Sequence, residues 1–154
     1  MSVNRKTGQV LVLPFIRGSI AWWQGPNVEQ NPFRWTLYIR GVNGEDLSYA
    51  IKKVQFTLHP SFKQPIRILE QYPFEITEQG WGEFDIEVKI EFQDPNESSI
   101  TFGHWLKLHP GNGEPDKEGE PVVHEFYDEF IFNEPTETMY NLYLYIYIKY
   151  YYYF

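Results

Sequence analysis

The chain of 154 residues contains no cysteine. That absence excludes a disulfide framework, a thiolate metal site and a cysteine nucleophile, and it suits a reducing, intracellular compartment. Cationic side chains are also scarce: 13 Lys and Arg stand against 21 Asp and Glu, a formal net charge of -8. This is the wrong sign for gripping phosphates, so a basic partner is expected and direct nucleic-acid binding is not. Catalytic signatures are missing as well. There is no G-x-S-x-G elbow, phosphate loop or dinucleotide fingerprint, and His59, His104, His109 and His124 never recur at metal-ligand spacing. No enzyme activity, cofactor or metal is expected. The amino-terminal stretch lacks the order of a secretory signal, because Gln9, Pro14 and Arg17 interrupt it.

What is present is alternation. In FDIEVKIEF the apolar Phe84, Ile86, Val88, Ile90 and Phe92 alternate strictly with Asp85, Glu87, Lys89 and Glu91, the pattern of a strand with one buried and one wet face. Trp35, Leu37 and Ile39 do the same in RWTLYI, and Val54, Phe56 and Leu58 in VQFTL. VVHEFYDEFIF places Val122, Phe126, Phe130 and Phe132 on a common face, with His124 and Asp128 between them. QVLVLPFI is a further strand that Pro14 marks as an edge or a bulge. Between the runs lie breaks rich in Pro, Gly and Asn, such as GPNVEQNP, GVNGED and HPGNGEPDKEGEP. With 42% hydrophobic residues, about seven short strands and no βα alternation, the chain is expected to be one all-β domain, an immunoglobulin-like antiparallel β-sandwich.

Three clusters offer chemistry. The loop His59-Pro60-Ser61-Phe62 presents an imidazole, a hydroxyl and a phenyl ring within four residues. Gly80-Trp81-Gly82 sets a large indole between glycines that let a ligand approach the backbone amides. Both also fit plain loop packing, with Phe62 and Trp81 closing the end of the sandwich. The third cluster is Glu125, Asp128 and Glu129; on an alternating strand Glu125 and Glu129 share one face and Asp128 takes the other. A solvated strand face is expected there rather than a glycosidase-type carboxylate pair.

Taken together, QVLVLPFIRGSIAWW, RWTLYIRG, VQFTLHPSF, YPFEITEQGWGEF and VVHEFYDEFIF resemble the YEATS domain in order and spacing over residues 8–135. The His-x-Ser-aromatic loop alone is a weak motif; GWGEF and FYDE after it make the combination specific. The sequence is most similar to the short, glioma-associated branch of the family. The resemblance implies a nuclear reader of acetylated or crotonylated lysine on histone tails, the histone-three tail foremost, in partnership with subunits of chromatin-remodelling or histone acetyltransferase complexes. It also implies an acyl-lysine pocket formed by His59, Ser61, Phe62, Gly80, Trp81 and Gly82. Phe62 and Trp81 would flank the amide, Ser61 would bond its N–H, and the backbone N–H of Trp81 or Gly82 would donate to its oxygen. Unmodified lysine would be refused, because no carboxylate occupies the matched pocket positions.

Phe33 stands where the family often has a histidine two residues before the tryptophan, and the aromatic sometimes found near Asn31 is missing, so contacts to the flanking peptide are expected to differ. Other functions of the same residue types are a trimethyl-lysine cage, a carbohydrate-binding sandwich and an acidic histone chaperone that works through sheet edges and charge. Residues 136–154 form a Tyr-rich, low-complexity tail with the bulky, uncharged content of an aggregation-prone strand. It is expected to be non-domain sequence, with an added strand or a partner-binding segment as the alternatives. No heptads are seen after Pro135, so the coiled coil that usually follows in this branch is not expected.

Overall fold

Each apolar stripe of the sequence becomes one face of a strand. In the computed structural model, which describes residues 3–152, the strands are β1 (Val10–Trp23), β2 (Phe33–Arg40), β3 (Ile51–Thr57), β4 (Ile66–Leu69), β5 (Phe74–Gly80), β6 (Asp85–Phe92), β7 (Ile100–Trp105) and β8 (Val122–Asn133). They form two antiparallel four-stranded sheets, ordered β5-β2-β1-β8 and β4-β3-β6-β7. The fold is the immunoglobulin-like sandwich expected from alternation. Trp35, Leu37 and Ile39 of β2 meet Val54 and Phe56 of β3 and Ile86, Val88 and Ile90 of β6 in a fully buried core. Each such side chain contributes about 1.5–3 kcal/mol by leaving water.

Pro14 sits in a strand with neighbours on both sides, β2 and β8. Pairing with β2 begins only at Ile16, however, so at Pro14 the strand has β8 alone beside it and is locally an edge. The expected common face of β8 holds only in its second half. Phe130 and Phe132 are buried, but Phe126 is 41% exposed. β7 and β8 are the edge strands of the two sheets, and the inward positions between them are polar. Arg17 of β1 lies between the Phe102 and Phe126 rings, 5.2 and 4.8 Å from their centroids, and its Nε donates to Asp128 at 3.0 Å. Ser19 Oγ lies 2.8 Å from His104 Nε2, and the His104 and His124 rings are 5.4 Å apart. Ser19 and His104 are buried at this seam, while the Arg17–Asp128 pair reaches water.

The tail, expected to be non-domain sequence with an added strand as one alternative, forms a helix instead. Thr136 caps α1 (Glu137–Tyr147), accepting from the Met139 N–H at 3.0 Å while its hydroxyl donates to the buried carboxylate of Asp94. A π-helical turn, Ile148–Tyr152, follows. Met139 and Ile146 are buried in the core, with Tyr140, Tyr143 and Tyr150 packed against it. The stripe at 139, 143 and 146 has the spacing of an amphipathic helix laid on a core. Tyr150 Oη accepts from the Asp46 N–H at 3.2 Å, and Tyr151 donates to Glu45 at 2.8 Å. Both contacts lie in the β2–β3 loop. The helix therefore closes the pole where β1 and β3 start and where β2, β6 and β8 end.

Candidate functional site

The opposite pole carries the cavity. β2 starts there, β5 ends there, and the β3–β4 loop and β5–β6 turn face each other across an opening of about 580 Å³. All six residues singled out in the sequence, His59, Ser61, Phe62, Gly80, Trp81 and Gly82, line it.

Local hydrogen bonds set the loop. The Phe62 N–H donates to the His59 carbonyl at 3.1 Å, closing a tight turn. The Ser61 N–H donates to His59 Nδ1 at 3.1 Å, so that nitrogen carries a lone pair and the ring proton sits on Nε2. Ser61 Oγ lies 2.8 Å from the same Nδ1. The hydroxyl must then be the donor in that contact, which leaves the Ser61 oxygen free to accept. His59 thus orients the loop by fixing the direction of a proton.

Aromatic rings form the floor. Phe62 meets the buried Trp35 nearly perpendicular, with centroids 6.1 Å apart, and Phe84 packs on Phe62 at 5.7 Å and on Trp35 at 6.1 Å. These are the tilted and edge-to-face arrangements that aromatic quadrupoles favour. Trp81 behaves otherwise: 76% of it is exposed. It closes no core, so loop packing does not account for it. The glycines beside it are not demanded by backbone strain, since neither adopts a positive φ. A Cβ at Gly82 would meet nothing within 4 Å, and one at Gly80 would make only ordinary contact with Trp35 and Phe62. Within the protein both positions tolerate a side chain; what glycine preserves is free space over the cavity.

Phe84, Arg67, Glu78 and Glu83 also line the cavity and were not singled out in the sequence. Phe84 was assigned wholly to the core stripe, because alternation cannot show that the first member of a stripe reaches the sandwich end. The two carboxylates lie outside the six matched positions, none of which carries one. Both are engaged. Glu78 pairs with Arg67 at 2.7 Å, and Glu83 accepts the Leu108 N–H at 2.7 Å and the His109 N–H at 3.3 Å. The third sequence cluster lies apart from this lining: Glu125 accepts from Tyr38 and Arg40, and Asp128 from Arg17. Among the described residues no group of His, Cys, Asp and Glu is placed to hold a metal ion.

Comparison with known proteins agrees with this arrangement. Residues 30–110 match the YEATS family. The "Protein AF-9 homolog" of Emericella nidulans is 46% identical over 150 residues, which cover 90% of this chain and 54% of that protein. The chain spans about half the length of such curated relatives. Two solved structures of the YEATS domain of yeast Yaf9 superpose closely. The one bound to H3K27ac gives a TM-score of 0.79 at 38% identity, covering 92% of this chain and 98% of the other. The one recognizing an H3K122suc peptide gives 0.77 at 38% identity, covering 93% and 99%. An end-on aromatic cavity on a two-sheet sandwich, a family match over its central strands and high coverage of these domains lead to one conclusion: the chain belongs to the YEATS family.

Proposed function

We propose that this domain is a reader of acylated lysine on histone tails, with the acyl-lysine held by His59, Ser61, Phe62, Gly80, Trp81 and Gly82. The observation that carries the reading is the Ser61 hydroxyl. Its proton is directed into His59 Nδ1, so its oxygen is left as an acceptor in the cavity that Phe62 and Trp81 also line. An acyl-lysine differs from lysine in having an amide N–H to donate and no charge. A methyl-lysine cage needs neither a serine acceptor nor free backbone donors, and Glu78 and Glu83 already have partners within the protein, Glu78 in Arg67 and Glu83 in the Leu108 and His109 N–H groups. The slot between Phe62 and Trp81 suits a flat amide with an apolar tip, and the glycines keep the backbone within reach of its oxygen. The Yaf9 domain, similar in sequence and fold, has been solved with acylated histone three.

The partners that follow are acylated histone tails and, by the family resemblance, subunits of chromatin-remodelling or histone acetyltransferase complexes in the nucleus. The function is binding rather than catalysis. The folded unit is residues 8–135, with α1 as its cap. Titration with matched acetylated, crotonylated and unmodified histone-three peptides tests the reading. Acylated peptides are expected to bind at least tenfold tighter than the unmodified one. Equal binding of all three would favour a chaperone-like surface and overturn it.

A further inference from the structure

β4 and β5 are the two legs of one hairpin-like excursion, and each belongs to a different sheet. β4 hydrogen-bonds to β3 and β5 to β2, so no backbone ladder joins the legs to each other. They connect at the far pole through residues 70–73, and their free ends carry the two sides of the cavity. Ser61 and Phe62 precede β4, and Trp81 follows β5. The inward positions of the legs are apolar near the connection, Leu69 and Ile76, and charged near the free ends, Arg67 and Glu78. Arg67 lies opposite the buried Phe56 and Glu78 opposite the buried Trp35. Their side chains, 23% and 27% exposed, meet at 2.7 Å. Arg67 also donates from Nε to the Gln64 carbonyl inside the β3–β4 loop.

We propose that the Arg67–Glu78 pair is a crossbar that sets the width of the acyl-lysine slot, Arg67 and Glu78 acting as positioning residues for Phe62 and Trp81. The inference rests on the reader function above and adds residues that do not flank the acyl group themselves. Geometry favours arginine: one guanidinium bonds a carboxylate across the sheets and a carbonyl in the loop at the same time, which the single ammonium of lysine cannot match. Water reaches the pair only partly. Neutralising one partner therefore leaves the other half-buried and unpaired, and the two legs are free to part. An ångström of added width is enough to separate a flat amide from one of its walls.

The experiment is a double-mutant cycle on the full chain with Arg67→Met, Glu78→Gln and the double variant, using a histone-three peptide acetylated at its lysine 27 and calorimetry. Each single variant is expected to weaken binding about tenfold with little change in melting temperature, and the double variant no further than either single. Amide exchange of Ser61, Phe62 and Trp81 without peptide is expected to quicken in all three variants. Wild-type affinity in the singles, or losses that multiply in the double, would overturn the crossbar, the latter because the residues would then contact the peptide independently. If the wild type binds no acylated peptide, the reader function fails. The exchange rates then decide the crossbar by themselves: unchanged rates sink it.

Discussion

A serine hydroxyl has one proton to give, and in the β3–β4 loop that proton is directed at His59 Nδ1. Ser61→Ala removes the acceptor while leaving Phe62 and the turn in place. A ligand amide N–H would then be buried without a partner, at about 1–3 kcal/mol, or roughly 5- to 150-fold in affinity. Calorimetry with acetylated and unmodified peptides is expected to show that the loss falls on the acetylated peptide. Losses equal for both would detach Ser61 from the modification. A second residue, His104, governs stability instead. Burial, then the neighbouring charges of His124 and Arg17, press its pKa from 6.5 down to about 4. The folded protein therefore keeps it neutral where the unfolded chain takes up a proton. Its contribution is fully present above about pH 6.5 and is lost progressively as the pH falls toward 4. About 3 kcal/mol is at stake between those limits. Urea midpoints measured from pH 7.5 to pH 5 should fall steeply in the wild type and less so in His104→Gln. Parallel pH profiles would remove His104 from the account.

At the scale of elements, α1 shows what the sequence conceals. Tyr and Ile are strand formers, and where almost every residue is bulky and apolar the buried stripe has no polar stripe to stand out against. The start signal was legible in principle: Pro135, then Thr136 as cap and Glu137 in the first turn. What fixes the helix is tertiary, since Asp94 lies 42 residues away in sequence. β6, β3 and β2 were legible because charged and apolar residues alternate in them, and β8 only where its inward residues are apolar. The cavity was half legible. Its loop residues were, through Ser61, Phe62 and Trp81, but Arg67 and Glu78 are separated by a connection that says nothing about their meeting across two sheets. The expectation for the helix is firm. Ile146→Ala removes a buried branched side chain and should destabilise by about 2–4 kcal/mol. Asp94→Ala should also destabilise, because the Thr136 hydroxyl loses its acceptor. Thermal denaturation checks both; melting points at the wild-type value would make the helix an appendage.

For the molecule as a whole, on the proposed function, the charge of -8 sets the approach of a basic tail more than its final grip. Glu114, Asp116, Glu118 and Glu120 lie in the long segment between β7 and β8, which leaves and rejoins the sheets at the cavity pole. Among the described residues, Asp116 lies 3.0 Å from His109 Nδ1 and Glu120 3.9 Å from Lys117 Nζ, while no ion pair is seen at Glu114 or Glu118. Long-range attraction of this kind is screened within about 8–10 Å at physiological salt. Raising salt from about 50 to about 500 mM is expected to slow association of an acetylated histone peptide roughly tenfold while dissociation changes far less. Stopped-flow traces in which dissociation carries the whole salt effect would contradict this. The polarity of the fold has a further consequence. The Lys6 N–H bonds the Pro135 carbonyl and the Glu137 N–H the Asn4 carbonyl, so the first described segment runs beside the start of α1, and Tyr150 and Tyr151 near the other end of the described chain rest on the β2–β3 loop at the same pole. A tether attached at either end leaves from the helix-capped pole, with the length of the sandwich between it and the cavity. Anchored by one end or both, the domain presents its binding mouth outward, and the anchor decides only how far it can reach.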